Sequence, residues 1–178
     1  QHHENESRQD ENRRDFGILD PHIWLSPPLV MIQARAMLSA LQKVDPVHRS
    51  DYEANYKAFI SEISKLDTEL INIFSDKHGL QFMVFHPAWG YFADTYGLKQ
   101  VPVEIEGKNP KPAQLKELIE YANQNNIKVI FVQPQFSAKN AEVIARGIGG
   151  QVVLADPLAA EWAANLRKVA RAIKAALR

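Results

Sequence analysis

The sequence predicts an α/β fold, a parallel sheet with helices on both faces, and three observations carry that expectation. From Gln81 onward, short charge-poor apolar runs (Phe82–Phe85, Val101–Ile105, Val129–Val132 and Val152–Leu154) alternate with helical patterns. Strand, helix, strand in strict succession calls for crossover connections and hence parallel strands. Ahead of the runs lies one long helical stretch, free of Gly and Pro from Val47 to His78. The composition, 46% hydrophobic and 24% charged over 178 residues, suits one full core rather than two complete domains.

In chain order, residues 1–15 are a polar His- and acid-rich segment with no large apolar side chain, which predicts a flexible stretch. Structure is expected to begin near Phe16. Asp20-Pro21-His22 predicts a constrained turn, and Ser26 with Pro27 an N-cap and first helical position. The helix that follows should run about 17 residues and stop before Asp45-Pro46.

The second helix is expected over Asp51–Lys77. Tyr52, Tyr56, Phe59, Ile63, Leu66, Leu70 and Ile73 recur at alternating spacings of four and three, and Ile60, Ile71 and Phe74 widen the stripe beyond a two-strand seam. Its length, roughly 40 Å, exceeds what one small lobe needs and points to a spine between two lobes. Further helices are expected around Trp89–Tyr96, Pro112–Asn125 and Ala138–Arg146. A last one carries Leu158, Trp162, Leu166, Val169, Ile173 and Leu177 on one face, with Arg167, Lys168, Arg171, Lys174 and Arg178 late in it.

Charge and motifs exclude several function classes. With 21 Lys plus Arg against 21 Asp plus Glu there is no long-range attraction to polyanions, so nucleic acid is not an expected partner. The chain has no cysteine, which removes thiolate metal sites and thiol nucleophiles. Gly-rich phosphate loops, G-x-S-x-G and H-E-x-x-H are absent from the sequence. Gln1 stands without Met or an apolar signal core, which suggests a processed or truncated product.

In an open parallel sheet, ligands bind at the carboxyl ends of the strands. There the runs end in His86-Pro87, in Glu104-Ile105-Glu106-Gly107, in Gln133-Pro134-Gln135 and in Ala155-Asp156-Pro157. Imidazole and carboxylate on one rim, with His22 in its turn upstream, form a set suited to Zn²⁺, while Mn²⁺ prefers more oxygen. Plainer roles stand beside these. His86 serves equally as the polar stop of a buried strand, His22 as the order of its own turn, and Asp156-Pro157 as N-cap and first residue of the last helix. Glu104 and Glu106 read as rim charges, His48 and His78 as solvated, and Trp24, Trp89 and Trp162 as packing aromatics. His2 and His3 read either as a cloning remnant or as part of a metal-attracting loop.

Asp20-Pro-His22-Ile-Trp-Leu-Ser-Pro27, His86-Pro-Ala-Trp-Gly-Tyr-Phe92 with Tyr96-Gly97-Leu98, Val129-Ile-Phe-Val-Gln-Pro-Gln-Phe-Ser137 and Ala155-Asp156-Pro157-Leu158 together resemble the zinc and manganese solute-binding proteins of ABC transporters. The likeness runs from Phe16 to Arg178. It implies a non-enzymatic, periplasmic or membrane-tethered protein that holds metal between two α/β lobes and delivers it to a membrane permease. It further implies that the amino-terminal lobe is mostly missing here: 1–15 is a His- and acid-rich loop, 16–50 a remnant of that lobe, 51–77 the connecting interlobe helix, and 78–178 the carboxyl-terminal lobe. By the resemblance His22, His86 and Asp156 are the second, third and fourth metal ligands, and the first has no counterpart. His86 at the third position favours Zn²⁺ over Mn²⁺, and Gln133 stands where the family often has Glu.

Two rival readings carry their own tests. A zinc-dependent hydrolase would need a general base, for which Glu104 and Glu106 are the candidates. An isolated lobe acting as a dimeric interaction module would cover the apolar faces of residues 28–44 and 52–74 with a second copy, a homodimer.

Overall fold

A computed structural model describes residues 19–105 and 107–177. The segment 1–15 with His2 and His3, the expected start at Phe16, Glu106 and Arg178 lie outside the described residues. Helix α1 runs Pro27–Val44 and α2 Arg49–Phe74; then come β1 Gln81–Val84, α3 Gly90–Thr95, β2 Lys99–Pro102, α4 Pro112–Gln124, β3 Val129–Val132, α5 Lys139–Gly147, β4 Gln151–Leu154 and α6 Trp162–Ala176. The four strands form one parallel sheet in the order β2-β1-β3-β4.

Alternation along the strands builds two cores. Phe82, Val84 and Phe131 join Leu66, Leu70 and Phe74 of α2, Phe92 of α3, and Leu166, Val169 and Ile173 of α6 on one face. Met83, Phe85, Ile130 and Val132 join Ala122 of α4 and Ile144 and Ala145 of α5 on the other. Helices thus cover both faces, as the charge-poor runs require. Full burial holds only for the two central strands: edge strands β2 and β4 are partly open, and Leu154 is 63% exposed. The second strand ends at Pro102, short of the expected Ile105, because proline brings no N–H to the ladder. Pairing to β1 nonetheless continues, since Val103 N–H donates to Val84 O at 2.8 Å and Glu104 N–H to Phe85 O at 3.0 Å.

Two helix expectations need correction. The last helix begins at Trp162 with Glu161 as its cap, so Asp156 and Pro157 are not its N-cap and first residue, and Leu158 lies 63% exposed in the connecting loop. Asp156 turns the chain by accepting the Leu158 N–H at 3.0 Å, a local use of an aspartate that competes with helix capping. Ser26 and Pro27 do start α1, but the Ser26 hydroxyl bonds Thr95 Oγ1 at 2.9 Å and ties α1 to α3 rather than capping its own helix.

The α2 stripe is a core seam only in its second half. Ile63 is buried, and Leu66, Leu70 and Phe74 join the core shared with α6, where Arg167 forks onto Glu69 at 2.5 and 3.1 Å and holds that carboxyl below its usual range. Its first half faces α1, leaving Phe59 with Ile32, Met37 and Leu41 exposed.

Tyr96 packs under α2 and donates to Asp67 Oδ1 at 2.9 Å, and burial, then this bond, push its phenol above the ordinary value of 10.0. A group whose folded-state value is raised contributes stability in full below its unfolded value and loses it as pH climbs past that point. Urea unfolding from about pH 9 to 11 should therefore show a steepening loss of stability that Tyr96→Phe flattens. An unchanged alkaline limb in the variant would contradict this packing.

Candidate metal centre

The strand order sets where a ligand fits. From β1 the chain passes through α3 to the outer strand β2, while from β3 it passes through α5 to the opposite outer strand β4. Connections from the two central strands thus diverge, and the crevice between the carboxyl ends of β1 and β3 is a topological switch point. His86 follows β1 there, and Gln133 follows β3.

His86 is held on three sides. Its Nδ1 donates to Glu104 Oε2 at 2.6 Å, its ring stacks on Phe136 with centroids 5.0 Å apart, and the Gln133 amide bonds its main chain. Glu104 was expected as a rim charge; its side chain is in fact 7% exposed, turned inward beneath the imidazole. A buried carboxylate needs such a charge-assisted partner.

His22 arrives from the other side. Asp20 Oδ1 accepts both the His22 N–H at 2.9 Å and His22 Nδ1 at 2.6 Å, so the Asp-Pro-His turn closes on its own imidazole. The 3₁₀ turn Ile23–Leu25 is then stapled to the β4–α6 loop: Trp24 Nε1 donates to Pro157 O at 2.9 Å, and Trp162 Nε1 to Trp24 O at 2.8 Å. Trp24 and Trp162 are therefore hydrogen-bonding staples as well as packing aromatics, whereas Trp89 is fully buried.

The rings of His22 and His86 meet edge to face, centroids 5.3 Å apart at 74°. In each, a carboxylate accepts a hydrogen bond from Nδ1–H, which fixes the tautomer with a lone pair on Nε2.

Asp156 stands at the end of β4, half-buried, with Oδ1 accepting from Leu158 N–H and from Gln135 Nε2 at 3.1 Å. The two imidazoles are brought together, while the Asp156 carboxylate accepts from Gln135. No group of three or more His, Asp or Glu side chains is placed to hold a metal ion among the described residues. His48, by contrast, is 60% exposed and bonds Asp45 on the far side of α2, apart from this crevice. Asp20, Glu104 and the clip from Gln133 are the contributions that reading the sequence missed, although a lone Glu in the run Val-Pro-Val-Glu-Ile was a signal for Glu104.

Fold and crevice together define an α/β binding lobe with paired imidazoles at its switch point. The model of the periplasmic zinc-uptake complex component A, ZnuA, matches residues 1–176, and the chain belongs to that family. The high-affinity zinc uptake system protein ZnuA of Bacillus subtilis is 34% identical over 142 residues, 79% of this chain and 44% of that protein. A crystal structure of ZnuA superposes with a TM-score of 0.87 at 47% identity, covering 89% of this chain and 60% of that one. A ZnuA deletion mutant with zinc bound gives 0.86 at 46%, covering 92% and 63%. The chain thus spans less than half of the Bacillus relative and under two thirds of these solved chains. No described helix is long and apolar enough to cross a membrane.

Proposed function

We propose that the chain captures a divalent transition metal, zinc ahead of manganese, outside the cytoplasm for delivery to the membrane permease of an ABC transporter. The observation that carries this is the pair of imidazoles 5.3 Å apart, each oriented by its own carboxylate. His22 and His86 bind through Nε2, and Asp156 adds a carboxylate from the β4 end. Water, or a histidine of the 1–15 segment, fills the remaining position. Imidazole-led sites favour zinc, and the Irving–Williams order points the same way. The reading is a non-enzymatic one, and geometry supports it: Glu104, the described candidate for a general base, is engaged by the hydrogen bond from His86 Nδ1–H and turned away from open solvent. Calorimetry with the full chain should show one tight zinc site and manganese weaker by about tenfold or more. Equal affinity for the two ions would defeat the reading.

Removing the carboxylate behind His86 gives a second expected result. Glu104→Gln keeps the shape but offers no anionic acceptor for the Nδ1–H hydrogen bond, so zinc affinity should fall by about 10–100-fold. An unchanged affinity would show that the imidazole needs no such support.

The domain reading rests on the apolar face shared by α1 and the first half of α2. We infer that 16–50 belongs to an amino-terminal lobe, that 51–77 connects it to the lobe of 78–178, and that the further residues present in the longer relatives cover this face. In the 178-residue chain alone a second copy covers it instead, so light scattering should report a dimer; a monomer at high concentration would contradict that.

A further inference from the structure

The pairing of β1 with β3 stops at Val84 and Phe131, and one more main-chain bond, Phe85 N–H to Phe131 O at 2.8 Å, extends it. Beyond it both strands meet proline, Pro87 after His86 and Pro134 after Gln133, and the ladder cannot go on. The side chain of Gln133 continues it. Its Oε1 accepts the His86 N–H at 3.4 Å and its Nε2 donates to the His86 carbonyl at 3.0 Å, so one primary amide serves both main-chain groups of a single residue as a neighbouring strand would. Gln133 is 2% exposed and, with Ser26 and Glu104, among the few buried polar residues described.

We propose that Gln133 is a positioning residue for the metal-binding imidazole: by clipping the His86 peptide it fixes the ring at the separation from His22 that an ion needs. This rests on the reading of His22 and His86 as ligands. The imidazole is then constrained from two directions, Glu104 setting the rotation of the ring and Gln133 the position of its backbone. The clip needs a side chain long enough to reach across from β3 with both an acceptor and a donor at its end; asparagine is one methylene shorter, and an apolar side chain of the same length makes neither bond.

The test is a double-mutant cycle on the full chain, with zinc affinity read by competition against a fluorescent chelator. Gln133→Met, equal in length and uncharged, should weaken zinc by about tenfold in the wild-type background, the lower end of what losing an outer hydrogen-bond partner costs a metal site. In the His86→Ala background the same change should cost less than about twofold, because residues acting through one another are not additive. A structural defect would weaken both backgrounds alike, and that parallel loss would overturn the proposal, as would a Gln133→Met chain that binds zinc like wild type. Gln133→Ala replaces Gln133→Met in the cycle if the methionine variant does not fold. Failure of the ligand reading would look different, since His86→Ala alone would then leave zinc affinity unchanged.

Discussion

Replacing His86 by alanine should lower zinc affinity by about a hundredfold or more, beyond the 10–100-fold typical of losing a partner behind a ligand. The imidazole is lost outright, and Glu104 is left buried with no proton to accept, so nothing nearby can substitute without exposing that carboxylate. His22→Ala should cost a similar amount, with a milder structural consequence because Asp20 is closer to solvent. Asp156→Ala should cost less than either. Its carboxylate is already engaged by Leu158 N–H and Gln135, so binding a metal must give back part of an existing interaction. Calorimetry at neutral pH ranks the three. Equal zinc affinity in all of them and the wild type would reduce His86 to a strand stop and Asp156 to a turn residue.

Phe92→Ala should destabilise the fold by about 3–5 kcal/mol, a large share of the 5–15 kcal/mol available to a chain of this kind. Phe92 is fully buried and meets Trp89 and Phe74 edge to face, with centroids 5.6 and 5.8 Å away, and Tyr96 at 4.9 Å. It is the side chain by which the single short helix between β1 and β2 grips α2. Six residues of helix supply little stability of their own, so nothing local offsets the cavity. Urea unfolding with an unchanged slope and a lower midpoint is the expected record. A loss under about 1 kcal/mol would mean that the site collapses freely around the gap.

What could be read from the sequence followed from periodicity. The stretch without Gly or Pro from Val47 to His78 sets α2 almost to its ends, and the charge-poor run at Val129–Val132 marks β3 residue for residue. Parallel pairing and the two-faced layering follow from alternation of strand and helix; the order β2-β1-β3-β4 does not. Errors arose where a local signal had two uses. Asp156-Pro157 has the composition of a helix start, yet the aspartate closes a turn and α6 waits for Trp162. Ser26 looks like a capping hydroxyl but faces Thr95 across a tertiary contact. Tyr52, Tyr56 and Phe59 share the spacing of Ile63, Leu66 and Leu70, and spacing alone cannot say that one half of a stripe is fully buried while the other is left partly open beside α1.

At the crevice, His86 and Asp156 stood out by type and by position at strand ends, whereas the approach of His22, in its turn upstream, was implied only by the resemblance; the two rings lie 5.3 Å apart. The groups that orient them did not stand out, because a hydrogen bond between Nδ1 of His86 and Glu104, 18 residues apart, depends on how β2 registers against β1. The same holds for Gln133, whose two bonds to His86 cross 47 residues of chain. Resemblance alone placed Asp156 with the histidines, and its carboxylate accepts from Gln135.

The most direct measurement is the anomalous scattering of zinc in crystals of this chain grown with the metal. The account predicts one strong peak ~2.0–2.1 Å from Nε2 of both His22 and His86, with a carboxylate oxygen of Asp156 at ~2.0–2.2 Å and Gln135 released from it. A peak elsewhere, with Nδ1 of His22 and His86 still on Asp20 and Glu104 and their Nε2 atoms facing solvent, would contradict it.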